Sequence, residues 1–358
     1  MRVMGGRLLS TIRLVLAAAA IAAVPSGAMA HVKWFCSAVD VTAAPVSLMN
    51  VLTPLFLISG GGFLLLVFAG FTADGWLARR WPALASTGTR LARMEEALIR
   101  LAVGVYFLAL WNGTASVPWA AGDLVLTPEL VPRGVLSGLL QFGVAVLVVR
   151  RETCILAGFG ICALYALAAV EHGVFHMVDY VYFLGLAAYL ALTSAGSARA
   201  LRLRVPVLCC ALAFSLMWTA IEKFLYPQWT AVVLWEHPDL TFGFDLPVVV
   251  TIAGFVEFSL AFYLATGRGL LRFGAAAFMV VFLSAIPEFG HLDLVGHLPI
   301  VAILAIICLG GASALQDSLR LPGGGVVADA TAMAVLFLAT LAVMVGMYYS
   351  LQRTVGLI

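Results

Sequence analysis

Residues 246–266, LPVVVTIAGFVEFSLAFYLAT, hold one charged side chain, Glu257, in an otherwise apolar run. A run of this kind is long enough to cross a hydrocarbon core of about 30 Å as a single helix. Nine more segments read the same way, near 48–71, 96–112, 131–149, 153–170, 179–196, 205–223, 270–286, 296–314 and 329–350. Of the 358 residues 63% are hydrophobic and 11% charged, with a mean hydropathy of +1.08, a balance that leaves too little polar surface for water. The expected fold is an all-α polytopic membrane protein with about ten transmembrane helices; the alternating segments of about ten residues that build an outer-membrane barrel do not occur. The composition excludes a nucleic-acid partner and soluble dinucleotide chemistry. With no nucleotide motif on either side, nucleotide-driven transport by this chain alone is not expected. The 6 cysteines form no CxxC pair and so suggest no disulfide framework.

Outward from these runs, the ends and loops set an orientation. Arg2, Arg7 and Arg13 precede an apolar stretch, Leu14–Val24, that closes at Ala28-Met29-Ala30. This is the pattern of an export signal over residues 1–30, cleaved to leave His31 first, with an uncleaved signal anchor as the alternative. A periplasmic N-terminus then puts Arg79, Arg80, Arg90, Arg93, Arg100, Arg150, Arg151, Arg199, Arg202, Arg204, Arg268, Arg272 and Arg320 on the cytoplasmic side. Only Lys33, Arg133, Lys223 and Arg353 stay outside or at the outer boundary, as the positive-inside rule requires. The expected location is a bacterial inner membrane, with lipid around the helices and both mature termini in the periplasm.

The chain also repeats. Phe107-Leu-Ala-Leu-Trp111 matches Phe214-Ser-Leu-Met-Trp218, and Leu130-Val-Pro132 matches Asp245-Leu-Pro247. Gln141-Phe-Gly-Val-Ala145 matches Glu257-Phe-Ser-Leu-Ala261, and Glu171-His-Gly173 matches Glu288-Phe-Gly290. Two tandem four-helix units, 96–196 and 205–314, account for this; an even helix number makes them parallel rather than inverted. Residues 31–95 precede the units with a periplasmic segment, the first helix and a cytoplasmic loop. Residues 315–358 follow as a Gly-rich link, Pro322 to Gly325, and the last helix. Gly60-Gly-Gly62 in the first helix would admit a close neighbour.

The second unit carries Trp218-Thr-Ala-Ile-Glu222-Lys223-Phe224, then Ala253-Gly-Phe-Val-Glu257-Phe258, then the turn Ala265-Thr-Gly-Arg268. It resembles the DoxX/DoxD family of four-helix membrane proteins, in which a Lys-Phe-like end of the first helix and a Glu within the second are typical. The resemblance covers about 110 residues well and the first unit weakly. The first unit departs from it, with Ala115, Ser116 and Gln141 where Glu222, Lys223 and Glu257 would stand. The family includes a subunit assigned to thiosulfate:quinone oxidoreduction and members tied to oxidative-stress complexes. The resemblance therefore implies a redox or redox-accessory role, with quinone as a possible cofactor and no substrate fixed.

Glu257 lies about eleven residues, roughly 16 Å, into a helix entered from outside. A carboxylate near the bilayer centre costs about 2.5–3.5 kcal/mol on insertion scales, so it must face the bundle and find a partner or hold a proton. Lys223 and Glu222 are the nearest candidates, and the three form the candidate catalytic set; a purely structural ion pair is the alternative. The histidines His31, His172, His176, His237, His291 and His297 all fall outside. His172, His176 and Asp179 would share a face if the helix ran through them. In the second unit His291, Asp293 and His297 sit where Gly and Pro interrupt the helix and let side chains converge. Imidazole and carboxylate together suit zinc, copper or iron, and a terminal His31 favours copper. Outer loops simply poor in Lys and Arg give the same residues without any metal. The aromatic loop from Tyr226 to Asp239 reads as an interfacial anchor or a lid. Three classes follow: a quinone-linked membrane oxidoreductase or its subunit, served by a periplasmic redox protein or enzyme; a metal-handling assembly factor; and a proton-coupled permease.

Overall fold

The computed structural model describes residues 43–85, 92–112, 126–127, 134–321 and 323–354; the expected export signal, His31, Lys33, Cys36, Arg90 and Arg133 lie outside them. Ten helices are numbered here: α1 Pro54–Arg80, α2 Ala92–Asn112, α3 Gly134–Leu147, α4 Cys154–His172, α5 Val181–Ala195, α6 Ala198–Leu225, α7 Pro227–Glu236, α8 Leu246–Thr266, α9 Leu271–Gly310 and α10 Val326–Thr354. No strand occurs among the described residues. Among the described residues eight stretches are long and apolar enough to cross a membrane: α1, α4, Val174–Ala195 with α5, α6, α8, the two halves of α9, and α10. The chain is a multi-pass membrane protein. Of the other expected spans, α3 is shorter and α2 carries Glu95, Glu96 and Arg100 near its start.

Local chemistry sets the helix ends. Thr53 caps α1, its hydroxyl accepting the Phe56 N–H at 3.1 Å with Pro54 at the first helical position, as proline favours. α1 therefore starts later than the expected 48 and runs past 71, taking Asp74 into the interior. Gly196, in the left-handed region at φ 66, ends α5, and Ser197 caps α6 by accepting the Ala200 N–H at 3.2 Å. Two residues thus reverse the chain, and α5 and α6 pack together.

α9 doubles back at Gly290, whose φ of 75 and ψ of −154 belong to a backbone region open essentially to glycine alone. The ends of the hairpin meet: Arg272 donates to the Gly310 carbonyl at 3.2 Å, and the Cys308 thiol lies 3.3 Å from the Arg272 carbonyl. Gly173 makes a comparable break after α4 (φ 89, ψ 144). There too the start of the first arm reaches the end of the second, with Arg151 donating to the Thr193 carbonyl at 3.1 Å. α2 to α5 pack in sequence, α6 packs on α8, and α5–α6 and α2–α9 contacts join the two groups. α1 packs along α10 and α8, with Gly60 against the Phe255 ring; Gly61 and Gly62 meet nothing.

Charge is sorted to the two ends. At one, Arg204 bonds Glu95 at 3.0 Å and Glu96 at 3.1 Å, Arg100 reaches Glu96 at 3.2 Å, and Tyr189 donates to Glu95 at 3.0 Å. At the same end Asp74, fully buried, accepts the backbone N–H groups of Arg268 and Leu270 at 2.9 and 2.8 Å and the Tyr263 hydroxyl. Asp74 therefore ties α1 to the turn between α8 and α9.

Candidate functional site

At the opposite end the last turn of α6 places Glu222 and Lys223 side by side. Lys223 is 5% exposed and its Nζ lies 2.7 Å from Glu257 Oε2, with the Glu257 side chain 14% exposed. The expected partnership is thus present as a hydrogen-bonded ion pair between α6 and the middle of α8. Glu222 points elsewhere, accepting the Tyr348 hydroxyl of α10 at 2.9 Å. Tyr348 stacks on Trp218 at 4.8 Å and meets Phe175 edge-on at the same distance. One turn on, Gln352 donates to the Tyr226 hydroxyl at 2.7 Å, and that hydroxyl donates to the Ala43 carbonyl at 2.9 Å. The last helix, which the repeat leaves aside, therefore walls the site. Tyr348 and Gln352 are four apart in an apolar helix, a spacing that places both on one face and that the sequence reading passed over.

The histidine groups differ from expectation. α4 stops at His172, and the positive φ of Gly173 prevents one helix from running through to Asp179, so the three side chains do not stack on a common face. His176 sits in the short turn Val174–Met177 and Asp179 in the 3₁₀ turn Val178–Tyr180. His172 lies 3.5 Å from Glu171, and its ring centroid is 6.3 Å from that of His176. Asp179 is buried and bears electrostatically on Tyr348, on the site side of its turn.

In the second unit the segment near 287–297 is not a freed loop. Pro287 and Pro299 are accommodated within helix, and Gly290 alone departs from helical backbone. Asp293 and His297 then fall one turn apart on the second arm of α9, both buried, with Nδ1 and Oδ1 2.9 Å apart and the Phe282 ring 4.6 Å from the imidazole. The His291 side chain lies outside the described part. His237 bonds Glu288 at 2.5 Å, linking the end of α7 to the α9 hairpin. Among the described residues no group of three or more His, Cys, Asp or Glu could hold a metal ion. The aromatic loop is mostly helix α7, with Trp229 stacked on Tyr226 at 4.1 Å and Trp235 turned outward.

Two further features bear on ligands. An apolar groove between α5 and α6, about 530 Å³, is lined by Val181, Leu184, Pro206, Val207 and Phe214. Phe214 stacks on Trp218 at 5.9 Å, and the Trp218 indole N–H is buried with no hydrogen-bond partner among the described residues. No protein-family model matches the chain, and no curated protein or solved structure does either.

Proposed function

We propose that the chain is an inner-membrane component of a quinone-linked redox system, with Lys223 and Glu257 as a proton-carrying pair toward the periplasmic face. The observation that carries this reading is the pair itself: a lysine and a glutamate 2.7 Å apart, both largely buried, in a bundle where hydrocarbon would make either alone costly. A protonated Glu257 can give up its proton and leave a carboxylate already neutralised by Lys223, so the negative charge is never left unpaired. Gln141, at the matching place in the first unit, has no proton to give. The DoxX/DoxD-like motifs of the second unit support the redox assignment. The matching backbone breaks at Gly173 and Gly290 support the tandem, parallel two-unit organisation, and the arginine-rich end is taken as cytoplasmic by the positive-inside rule.

A bound quinone would supply two-electron, two-proton chemistry. The groove beside Phe214 suits its isoprenoid tail, and the Trp218 N–H, on the ring stacked against Phe214 and without a partner among the described residues, is a candidate donor. A metal fits less well. Among the described residues no group of three or more His, Cys, Asp or Glu comes together, so copper, zinc or iron has no part in the proton-carrying role proposed for Lys223 and Glu257. The metal part of the reading rests on the outer histidine groups, His172 with His176 and His291 with His297; metal analysis of purified chain, repeated after His172→Ala with His176→Ala and after His291→Ala with His297→Ala, tests it. Unchanged metal content in both double variants removes it.

Glu257→Gln tests the pair. The expected result is a folded protein whose quinone-linked turnover in membrane vesicles falls about 10²–10⁴-fold, the usual size of a positioned acid–base contribution. Stability lost in proportion to activity assigns Glu257 to packing; a folded, fully active variant refutes the proposal.

A further inference from the structure

At the arginine end a cavity of about 80 Å³ lies between the last turns of α1, the α8–α9 turn and the start of α10. Arg79, Arg268 and Arg320 line it together with Asp74, Asp329 and Phe71. Both carboxylates already have tasks. Asp74 accepts the two amides of the turn and faces Arg320 at 3.5 Å, while Asp329 accepts the Leu321 N–H at 3.1 Å. Three guanidinium groups against two carboxylates leave the lining one positive charge in excess. Asp317 touches Arg268 from outside at 2.8 Å, but it is 60% exposed, where water and salt weaken the pairing.

Among the described residues Arg268 Nε is buried with no hydrogen-bond partner, and the hydrogen bond Arg79 makes is to the Gly324 carbonyl, at 2.9 Å. Donor capacity converges on the cavity without an acceptor to match it. Burial pulls the Arg320 guanidinium below its ordinary value while Asp74 pulls it back, so an anion beside it would favour the charged form further. Depth identifies the source. Trp76 and Trp81, 56% and 50% exposed with ring centroids 6.0 Å apart, sit on the same end of α1, and exposed tryptophans mark the headgroup level. Leu321, bonded through its N–H to Asp329, and Val327 are also exposed, which suits acyl chains better than water.

We propose that this cavity binds the phosphate of an anionic phospholipid from the leaflet on the arginine side, held by Arg79, Arg268 and Arg320. The phosphodiester of an anionic lipid carries one net negative charge, unlike that of phosphatidylcholine, which its own choline cation offsets; this is the charge that the lining lacks, and planar guanidinium groups match its oxygens. The proposal does not depend on the role of Glu257. Full-length protein in detergent is titrated with dioleoylphosphatidylglycerol, dioleoylphosphatidylcholine or inorganic phosphate, and bound lipid is counted by native mass spectrometry alongside thermal melting. Phosphatidylglycerol should bind and raise Tm where phosphatidylcholine does not. Arg79→Gln and Arg268→Gln should each weaken it about fivefold, the worth of one basic side chain against an anionic lipid. Arg320 is left unchanged because it also holds the Thr266 carbonyl at 2.6 Å. Equal binding of the two lipids, or variants that keep wild-type affinity, overturns the site. Protection by inorganic phosphate equal to that by phosphatidylglycerol overturns the lipid as its source.

Discussion

Lys223 and Asp74 are both charged residues taken out of water, and their neighbours decide what each loss costs. Replacing Lys223 by Met leaves Glu257 in the bundle without its cation, which costs about 3–5 kcal/mol for a broken buried pair. The double variant Lys223→Met with Glu257→Leu should recover most of this, because an apolar pair of similar volume is often as stable as the ions it replaces. Denaturant melts of the four proteins in the cycle check it, and a double variant no better than Lys223→Met rules it out. Asp74→Ala strands two backbone donors in the α8–α9 turn, at about 1–3 kcal/mol each, whereas Asp74→Asn keeps an acceptor and should lose less; thermal melting separates the two. Glu257 was legible because a carboxylate amid twenty uncharged, mostly apolar neighbours has no solvated place to go. Asp74 was not, since a carboxylate at the edge of an apolar run looks like an interfacial residue. Only the turn at 268–270, distant in sequence, shows that it is interior.

The helices were read from apolar periodicity, and their breaks only partly. Gly and Pro both looked like interruptions near 287–299, yet both prolines remain within helix, as membrane helices allow when neighbours satisfy the freed carbonyls. Gly290 makes the reversal by itself. A Cβ there would meet nothing within 4 Å, so any penalty for Gly290→Ala comes from backbone conformation alone, about 1–3 kcal/mol. Gly173→Ala should cost a similar amount. Melts in which both variants match wild type would show that neither φ is required. Gly173 explains why His172, His176 and Asp179 do not share one helical face: a 3.6-residue period holds only while the helix does. The site's fourth wall was hidden for another reason. Tyr348 and Gln352 belong to a helix outside the repeat, and a pattern built on internal similarity gives such residues no role.

Among the described residues the arginines other than Arg353 gather with their carboxylate partners at one end, and the Lys223 site gathers with His172, His176, His237 and His297 at the other. If the arginine end is cytoplasmic, cysteine placed at Glu288 in a Cys36→Ser background should react with a membrane-impermeant maleimide in intact spheroplasts. Cysteine placed at Asp317 should react only after lysis; both positions are exposed, at 51% and 60%. The reverse pattern would invert the topology and carry the proton pair and the lipid site to opposite leaflets. The latch at Asp74 also has a history in time. Its partners Tyr263 and Arg320 lie 189 and 246 residues further along the chain, roughly 10–50 s later at about 5–20 residues per second of synthesis. Throughout that interval α1 is already made while its carboxylate has only water and headgroups to meet. The bonds that bury Asp74 in the bundle therefore cannot close until the 268–270 turn has been made.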